Sequence, residues 1–506
     1  MAAVQKAELE RKYDVDPACR IPELHRLPGV ARVDPPLELD QVATYYDTAD
    51  LRLLSARTTL RRRTGGVDDG WHLKLPAAGE GRQEVHVPIG GADDEVPSPL
   101  LDLVRVIVRD HPVAPVAALS TRRRIHRLLD DDDNVIAELC DDDVSAETST
   151  GTPAVSRWRE WELEVVDGPE DVLDTAEPVL LDAGATRATT GSKLGRVLAG
   201  RESDTGRWRR CGEPGKDASV ASLLSAYLAT HLARLLDQDQ RLRTGDQEGV
   251  HKLRVAARRL RSALATYAPA LEAGSTDSLR DDLKWLGGVL AEARDAQVLR
   301  ERLTALVDDQ PDELVIGPVR TRIDDELREM FRGGRAAADQ ALDDTRYFRM
   351  LDRLEALVAQ PPVVEDDPAA SSAVPVLLRR DLDRVHKRGR AYARAGSAHQ
   401  RDLALHEVRK AAKRLRYAAE SARPVLGKKA KRLASQAEAV QEVLGAHQDC
   451  VVSRRVLRGM GVRASLAGEN GFTFGRLHAL EGARAVELEG DFPDLLAALP
   501  TKDQLA

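Results

Sequence analysis

Aromatic residues make up only 4% of this 506-residue chain, and cysteine occurs four times. Cys19, Cys140, Cys211 and Cys450 fall in no CxxC or Cys/His ligand spacing, which excludes a disulfide framework and a zinc site. No run of about 18 uncharged apolar residues occurs, and Met1–Lys12 has no apolar core of a signal peptide, so a cytoplasmic protein with no membrane contact is expected. An excess of positive charge is missing too. With 75 Lys and Arg against 83 Asp and Glu, the net charge of −8 argues against general nucleic-acid binding, which needs a broad basic surface. Any basic site must be local. The length predicts two to four domains, and 31% charged residues favour helix-rich, soluble architecture.

What is present changes near residue 200. Before it, short β-like runs alternate with Gly, Pro and Asp clusters: Ala43–Thr48, Thr58–Thr64, Trp71–Leu75, Arg82–Pro88, Arg122–Leu129, Asn134–Leu139 and Arg157–Val166. Many short strands predict a sandwich or barrel. Residues 201–217 lack periodicity and read as a linker. From Ala218 onward the pattern is helical, rich in Ala, Leu, Arg and Glu. The expected domains are therefore 1–200 and 218–500.

The first strand, Glu8-Leu9-Glu10-Arg11-Lys12, turns two carboxylates and an ammonium to one face. Polar alternation then recurs: Arg61 with Arg63, His72 with Lys74, and Arg82 with Glu84 and His86. Glu160, Glu162 and Glu164 stack three carboxylates at about 7 Å intervals on one face, where they repel unless cations intervene. Hard oxygen ligands suit Mg²⁺ or Mn²⁺, and arginine and lysine in the same enclosure suit phosphate oxygens. Together they point to phosphoryl chemistry.

These residues resemble the CYTH superfamily of triphosphate tunnel metalloenzymes. Glu8–Lys12 matches its ExExK signature, and the match continues through Tyr45-Tyr46-Asp47-Thr48, Leu60–Arg63, Trp71–Lys74, Arg82–Glu84, Trp158–Glu164 and Ser192-Lys193. The resemblance implies an eight-stranded antiparallel tunnel of α+β class that binds triphosphates with Mg²⁺ or Mn²⁺. It implies Glu8, Glu10, Glu162 and Glu164 as metal ligands, with Glu8, Glu10 and Lys12 at the catalytic centre. It implies Lys12, Arg61, Arg63, Lys74, Arg82, Arg123 and Lys193 as triphosphate binders. Among Arg122–Arg124 the inward phase is ambiguous, and Arg123 fits the family pattern best; Glu138 and Asp141 fall where the family places further acids.

The helical half contains a repeat. His251 is followed by basic residues at Arg254, Arg258, Arg259 and Arg261, and His406 by Arg409, Lys413, Arg414 and Arg416 at the same spacings. Asp295 and Asp449 follow the two histidines by 44 and 43 residues. Duplication is the natural explanation, with repeats at about 218–345 and 370–490. On a helix His251, Arg254, Arg258 and Arg261 share a stripe within about 80°, while Leu253, Ala257, Leu260 and Leu264 face the packing side. Like charges at these spacings cost a few tenths of a kcal/mol per pair without an anion. This half resembles the CHAD domain, a conserved-histidine α-helical module. The resemblance implies two four-helix bundles facing across a groove that binds inorganic polyphosphate. It implies His251, Lys252, Arg254, Arg258, Arg259, Arg261, His406, Arg409, Lys410, Lys413, Arg414, Arg416 and Tyr417 as its ligands. Glu407 and Lys413 stand where the first copy has Lys252 and Arg258, so the two halves need not bind equally.

The expected activity is metal-dependent hydrolysis of inorganic triphosphate to diphosphate and phosphate, beside a helical half that binds polyphosphate and associates with polyphosphate granules. The rivals are a non-catalytic polyphosphate-binding or granule-targeting protein, a class IV adenylate cyclase and a thiamine triphosphatase. Oligomeric state is left open.

Overall fold

The computed structural model describes residues 4–76, 81–90, 95–149, 155–199, 206–246, 248–364 and 366–501, with the side chains of 4–8, 207 and 210 outside that description. The chain divides into two compact units, residues 1–207 and 208–506.

The first unit is an antiparallel sheet of β1 (Val4–Glu8), β2 (Glu10–Val15), β3 (Arg32–Val33), β4 (Leu37–Thr48), β5 (Thr59–Thr64), β6 (Gly70–Pro76), β7 (Arg82–Pro88), β8 (Val113–Leu129), β9 (Val135–Thr148), β10 (Val155–Val165) and β11 (Thr186–Arg187). Four helices accompany it: α1 (Arg52–Ser55), α2 (Ser98–Val108), α3 (Val172–Asp182) and α4 (Lys193–Val197). The hydrogen-bonded order is β1-β7-β6-β5-β4-β8-β9-β10-β2-β11, with β3 on β8. Although β1 and β2 lie towards opposite ends of this path, they are successive stretches of one segment. Only Leu9 separates them, and its carbonyl accepts from the Val165 N–H at 3.0 Å. Among the described residues no ladder joins β1 to β2; the covalent chain links the two sides. Counted as one strand, they bring the long strands to the expected eight.

Three strands are longer than their sequence pattern predicts. β4 starts at Leu37 instead of Ala43, β8 at Val113 instead of Arg122, and β9 runs to Thr148 instead of Leu139. Val113–Leu119 is nearly continuously apolar and contains Pro115, and Asp141-Asp142-Asp143 gives no alternation, so neither stretch carries a period-two signal.

Apolar outer faces are covered by helices. Leu100, Val104 and Val108 of α2 pack on Leu60, Trp71, Leu73 and Val85, and Leu173, Ala176 and Leu180 of α3 pack on Tyr13, Leu139, Trp161 and Leu163. Each such buried side chain contributes about 1.5–3 kcal/mol. The inner face is apolar at one end only. There Ala43, Tyr45, Leu119, Val144 and Ala146 pack around Leu194 and Leu198, so α4 stoppers the lumen.

The second unit is all-helical: α5 (Val220–Arg243), α6 (Gly249–Tyr267), α7 (Asp277–Asp308), α8 (Val319–Leu342), α9 (Thr345–Ala359), α10 (Ala370–Ala393), α11 (Ala398–Ser421), α12 (Arg423–Leu466) and α13 (Phe472–Ala497). Within each repeat, consecutive helices pack: α5 on α6, α6 on α7 and α7 on α8, then α10 on α11, α11 on α12 and α12 on α13. The helix α9 is an addition that packs on α5 and α7. Side-chain caps start several helices: Ser219 accepts from the Ser222 N–H and Ser397 from the Gln400 N–H, both at 3.2 Å. The predicted packing residues Leu253, Ala257, Leu260, Leu264, Val408, Ala412 and Leu415 are all fully buried. They bring α6 against α11.

Candidate functional site

Register builds the tunnel lumen. Across β2, β10 and β9, Glu10, Glu164 and Glu138 stand opposite one another. Lys12, Glu162 and Cys140 form the next rung, and Asp14, Glu160 and Asp142 the one after. Facing this acidic wall, β5 contributes Arg61 and Arg63, β6 Lys74, β7 Arg82 and Glu84, and β8 Arg123. Glu10, Lys12, Glu138, Glu162, Glu164 and Lys193 join these six around one cavity of about 280 Å³. The side chain of Glu8 lies outside the described residues, while its backbone stands opposite Arg82. Arg123, and not its neighbours, points inward. Asp141 faces the other way, bonded to Arg159 and Trp161, and Asp142 takes the inward position. Three consecutive aspartates hid that phase from the sequence.

Charge in the lumen is tightly compensated. Ser192 Oγ caps α4 by accepting from the Gly195 N–H at 3.0 Å, which sets Lys193 at the helix start. From there the Lys193 ammonium meets Asp142 at 2.9 Å and Glu160 and Glu162 at 2.7 Å each. Ligand oxygens of these three buried carboxylates lie within 4.8 Å of one another. Arg123 grips Asp142 with both fork nitrogens, at 2.8 and 2.7 Å, and also reaches Glu162. Lys12 bridges Glu10, at 3.1 Å, and Glu162. Burial alone would push Glu162 up, but Lys12, Lys193 and Arg123 hold it well below the usual carboxylate range. Asp142 is also lowered, because Arg123 and Lys193 outweigh its burial. In return, Lys193 is held well above the usual lysine value: burial lowers it, and Asp142, Glu162 and Glu160 more than restore it.

On the opposite wall, Arg61 reaches the Tyr45 hydroxyl at 3.4 Å and Glu84 at 3.8 Å, Arg63 pairs with Asp68, and Arg82 donates to the Gly191 carbonyl at 2.7 Å. Burial pushes the Tyr45 phenol up, yet Arg61 and Lys193 bring it below its ordinary value. Tyr45 is a lumen residue that the sequence did not single out, because adjacent Tyr46 gave no phase.

In the helical unit, a groove of about 1050 Å³ opens between α6 and α11, flanked by α7 and α10. Ten cations line it, Arg254, Arg258, Arg261, Arg280, Lys284, Arg384, Arg388, Lys410, Lys413 and Arg414, against Asp281 and Glu407. Tyr417 lines it as well, with Arg258 on its hydroxyl at 3.2 Å and Arg259 and Arg416 against its ring at 4.6 and 5.9 Å. Burial first, then Arg258, Arg409, Arg254 and Arg416, bring Lys413 down to about 7.

The remaining basic residues of the histidine helices do not line the groove. Arg259 pairs with Glu420, Arg416 with Glu420 and Glu438, and Lys252 with Glu248. His406 bonds Gln448 at 2.9 Å, and His251 is solvent-exposed. Arg409 is mostly buried, close enough to Arg254 and Arg258 for all three to repel. Arg280, Lys284, Arg384 and Arg388 were missed because they lie outside the repeated histidine motif, though each pair carries the i, i+4 basic spacing that could have found them.

Among known proteins, a family model described as CYTH domain matches residues 6–197, and one described as CHAD domain matches residues 226–458. The chain is 38% identical over 494 residues to the uncharacterized protein Rv2226 of Mycobacterium tuberculosis (strain ATCC 25618 / H37Rv), covering 94% of this chain and 92% of that protein. The crystal structure of the CHAD domain from the plant Ricinus communis is 28% identical with a TM-score of 0.47, covering 58% of this chain and 96% of that one. PptA from Streptomyces chartreusis is 21% identical with a TM-score of 0.47, covering 55% of this chain and 99% of its own.

Proposed function

Because this chain belongs to the CYTH family through its first domain and to the CHAD family through its second, we propose that the tunnel hydrolyses inorganic triphosphate and the groove holds inorganic polyphosphate. The observation that carries the reading is a lumen of about 280 Å³ with one acidic and one basic wall. Arg61, Arg63, Lys74, Arg82 and Arg123 supply fork and point-charge donors for phosphate oxygens. Among the described residues Tyr45 is the single aromatic residue lining this cavity, and it packs with the plug of α4, so these residues offer no platform for a base or a thiamine ring. That favours a bare phosphate chain over the nucleotide of a cyclase.

The carboxylate set fits a hard divalent cation. Glu10, Glu162 and Glu164, joined by Asp142 and Glu160, offer oxygen ligands only, which suits Mg²⁺ or Mn²⁺. A cation bound there supplies charge neutralisation and Lewis acidity at the phosphate oxygens. The chain's own residues orient the substrate against the basic wall, and α4 keeps bulk water from one end.

In the groove, Arg259 lies over the ring of Tyr417, the one aromatic residue lining it among the described residues, and so takes up a face on which a base would stack. A flexible polyanion needs none. Among the described residues no helix is long and apolar enough to cross a membrane. Association with polyphosphate granules in the cytoplasm is part of the proposal, checked by imaging a fluorescent fusion beside stained granules.

The test is phosphate release from tripolyphosphate, ATP and thiamine triphosphate with Mg²⁺ or Mn²⁺, for wild type and Glu10→Ala. We expect turnover of tripolyphosphate above the others and its loss in the variant. A folded wild type that turns over none of them would leave the rival, a polyphosphate-binding protein without catalysis.

A further inference from the structure

On the basic wall two acids, Asp68 and Glu84, stand among the cations. Glu84 of β7 lines the lumen, and behind it His72 of β6 is buried to 1% exposure. The His72 ring bonds on both sides: Nε2 lies 2.9 Å from the Asp68 carbonyl and Nδ1 lies 3.0 Å from Glu84 Oε1. A carbonyl has no proton to give, so Nε2 carries the hydrogen in the first bond. Were the imidazole neutral and Glu84 ionised, the bare Nδ1 lone pair would face a carboxylate oxygen. A buried acceptor held against a half-buried one without a hydrogen between them is costly. The arrangement is held from outside, because Arg63 pairs with the Asp68 carboxylate and so fixes the loop whose carbonyl takes Nε2–H.

We propose that His72 and Glu84 share one proton, and that Glu84 is the general acid which delivers it to the leaving diphosphate during triphosphate hydrolysis. The second half rests on the triphosphatase reading above. Groups facing the pair are Arg61 and Arg63 from β5, Lys74 from β6, His86 from β7 stacked on His72 at 4.7 Å, and Asp68 from the preceding loop; the backbone of Lys6 on β1 stands opposite Glu84. Burial, Arg61 and Arg63 drive the imidazole towards neutrality while Glu84 opposes them, and the net shift is downward. Arginine does not release a proton at neutral pH, so Arg61 and Arg63 stabilise charge without supplying hydrogen. The step balances as follows. The water oxygen bonds to the terminal phosphorus, and the bridging P–O bond breaks with its electron pair going to the diphosphate oxygen. The pair's proton goes to that oxygen, and the proton lost by the water restores the pair. Glu84 is the catalytic group; His72 is a positioning residue that keeps Glu84 supplied with a proton.

Two measurements test this on the full-length chain. In protein carrying ¹⁵N-histidine and ¹³C-glutamate, with the His72 and Glu84 signals assigned by their loss in His72→Gln and Glu84→Gln, one proton should appear on the pair at pH 7.5. Either an imidazolium with both nitrogens protonated or a neutral ring beside a protonated Glu84 carboxyl is the expected result. A ring with a bare nitrogen beside an ionised Glu84 overturns the proposal, whatever the activity. Then the pH dependence of tripolyphosphate hydrolysis is compared in wild type, Glu84→Gln and His72→Gln. Glu84→Gln should lower kcat on the order of 100-fold, change KM less than about threefold and remove the alkaline fall of kcat, as expected for a lost general acid. His72→Gln should move that alkaline fall to lower pH. A Glu84→Gln variant that keeps the alkaline limb and loses only KM overturns the acid role. A wild type that carries the shared proton yet hydrolyses nothing overturns the triphosphatase reading and the acid role with it; the labelled nitrogen separates that case from a wrong proton count.

Discussion

Lys193 holds three buried carboxylates, so removing its charge should unsettle the whole lumen. In Lys193→Met the contacts of Lys193 with Asp142, Glu160 and Glu162 are lost, while Arg123 and Lys12 still reach two of the three, and stability near neutral pH should fall by about 3–5 kcal/mol, as for breaking a buried pair. The sign with pH follows from the shifts. Glu162 and Asp142 are lowered, so their contribution is present above their unfolded values near 4 and lost as pH falls through the folded ones; Lys193 is raised, so its own is lost only at strongly alkaline pH. Thermal unfolding of the variant should therefore approach wild type below about pH 4. Lys413 behaves oppositely. With a folded value near 7 it is neutral above that pH only in the folded protein, so stability rises between pH 7 and the ordinary lysine range. A bound polyanion would recharge it, and calorimetry in buffers of different ionisation enthalpy should detect proton uptake near pH 8 that disappears in Lys413→Met. Binding with no proton uptake in wild type would contradict this.

At the scale of elements, the turn between β4 and β5 depends on one side chain. Asp47, fully buried, accepts from the Thr48 N–H at 2.7 Å and from the Leu53 and Leu54 N–H groups at 2.9 Å each, which starts α1. Asp47→Ala orphans three donors and should cost about 2–4 kcal/mol in chemical denaturation, with Asp47→Asn milder because one oxygen remains. Packing of α6 on α11 sets the groove, and its cations should act as a group. Replacing Arg254, Arg258, Arg261 and Lys413 by Ala should flatten the salt dependence of polyphosphate binding and weaken it by at least about tenfold; unchanged affinity would remove the groove assignment. Legibility followed periodicity at this scale. Strands whose inward positions alternate, such as Arg61/Arg63 and Glu160/Glu162/Glu164, and helices with a clear apolar stripe, could be read from the chain. Asp142 and Tyr45 sit in runs of like residues, where period two vanishes, and α9 has no counterpart in the repeat. The partners that turn Arg259 and Arg416 away from the groove, Glu420 and Glu438, lie on helix faces whose pairing only tertiary packing decides.

For the whole molecule, the two compact units lead to the expectation that the proposed ligands act separately. In scanning calorimetry of the full chain, tripolyphosphate with Mg²⁺ should raise one transition and long-chain polyphosphate the other, each by about 2.7 kcal/mol at a hundredfold excess over Kd. One ligand shifting both transitions equally would contradict it. The strand split by Leu9 also imposes an order of events during synthesis. Residues 4–15 leave the ribosome before the rest of the sheet, and the partner of β2, Val155–Val165, follows about 150 residues later. At ordinary elongation rates the acidic row waits on the order of ten seconds without its wall, still without the lysine of α4 that neutralises it. Until then Glu10 and Lys12 remain in water, where an open, charged segment is soluble, and the tunnel can close only around its last-made parts.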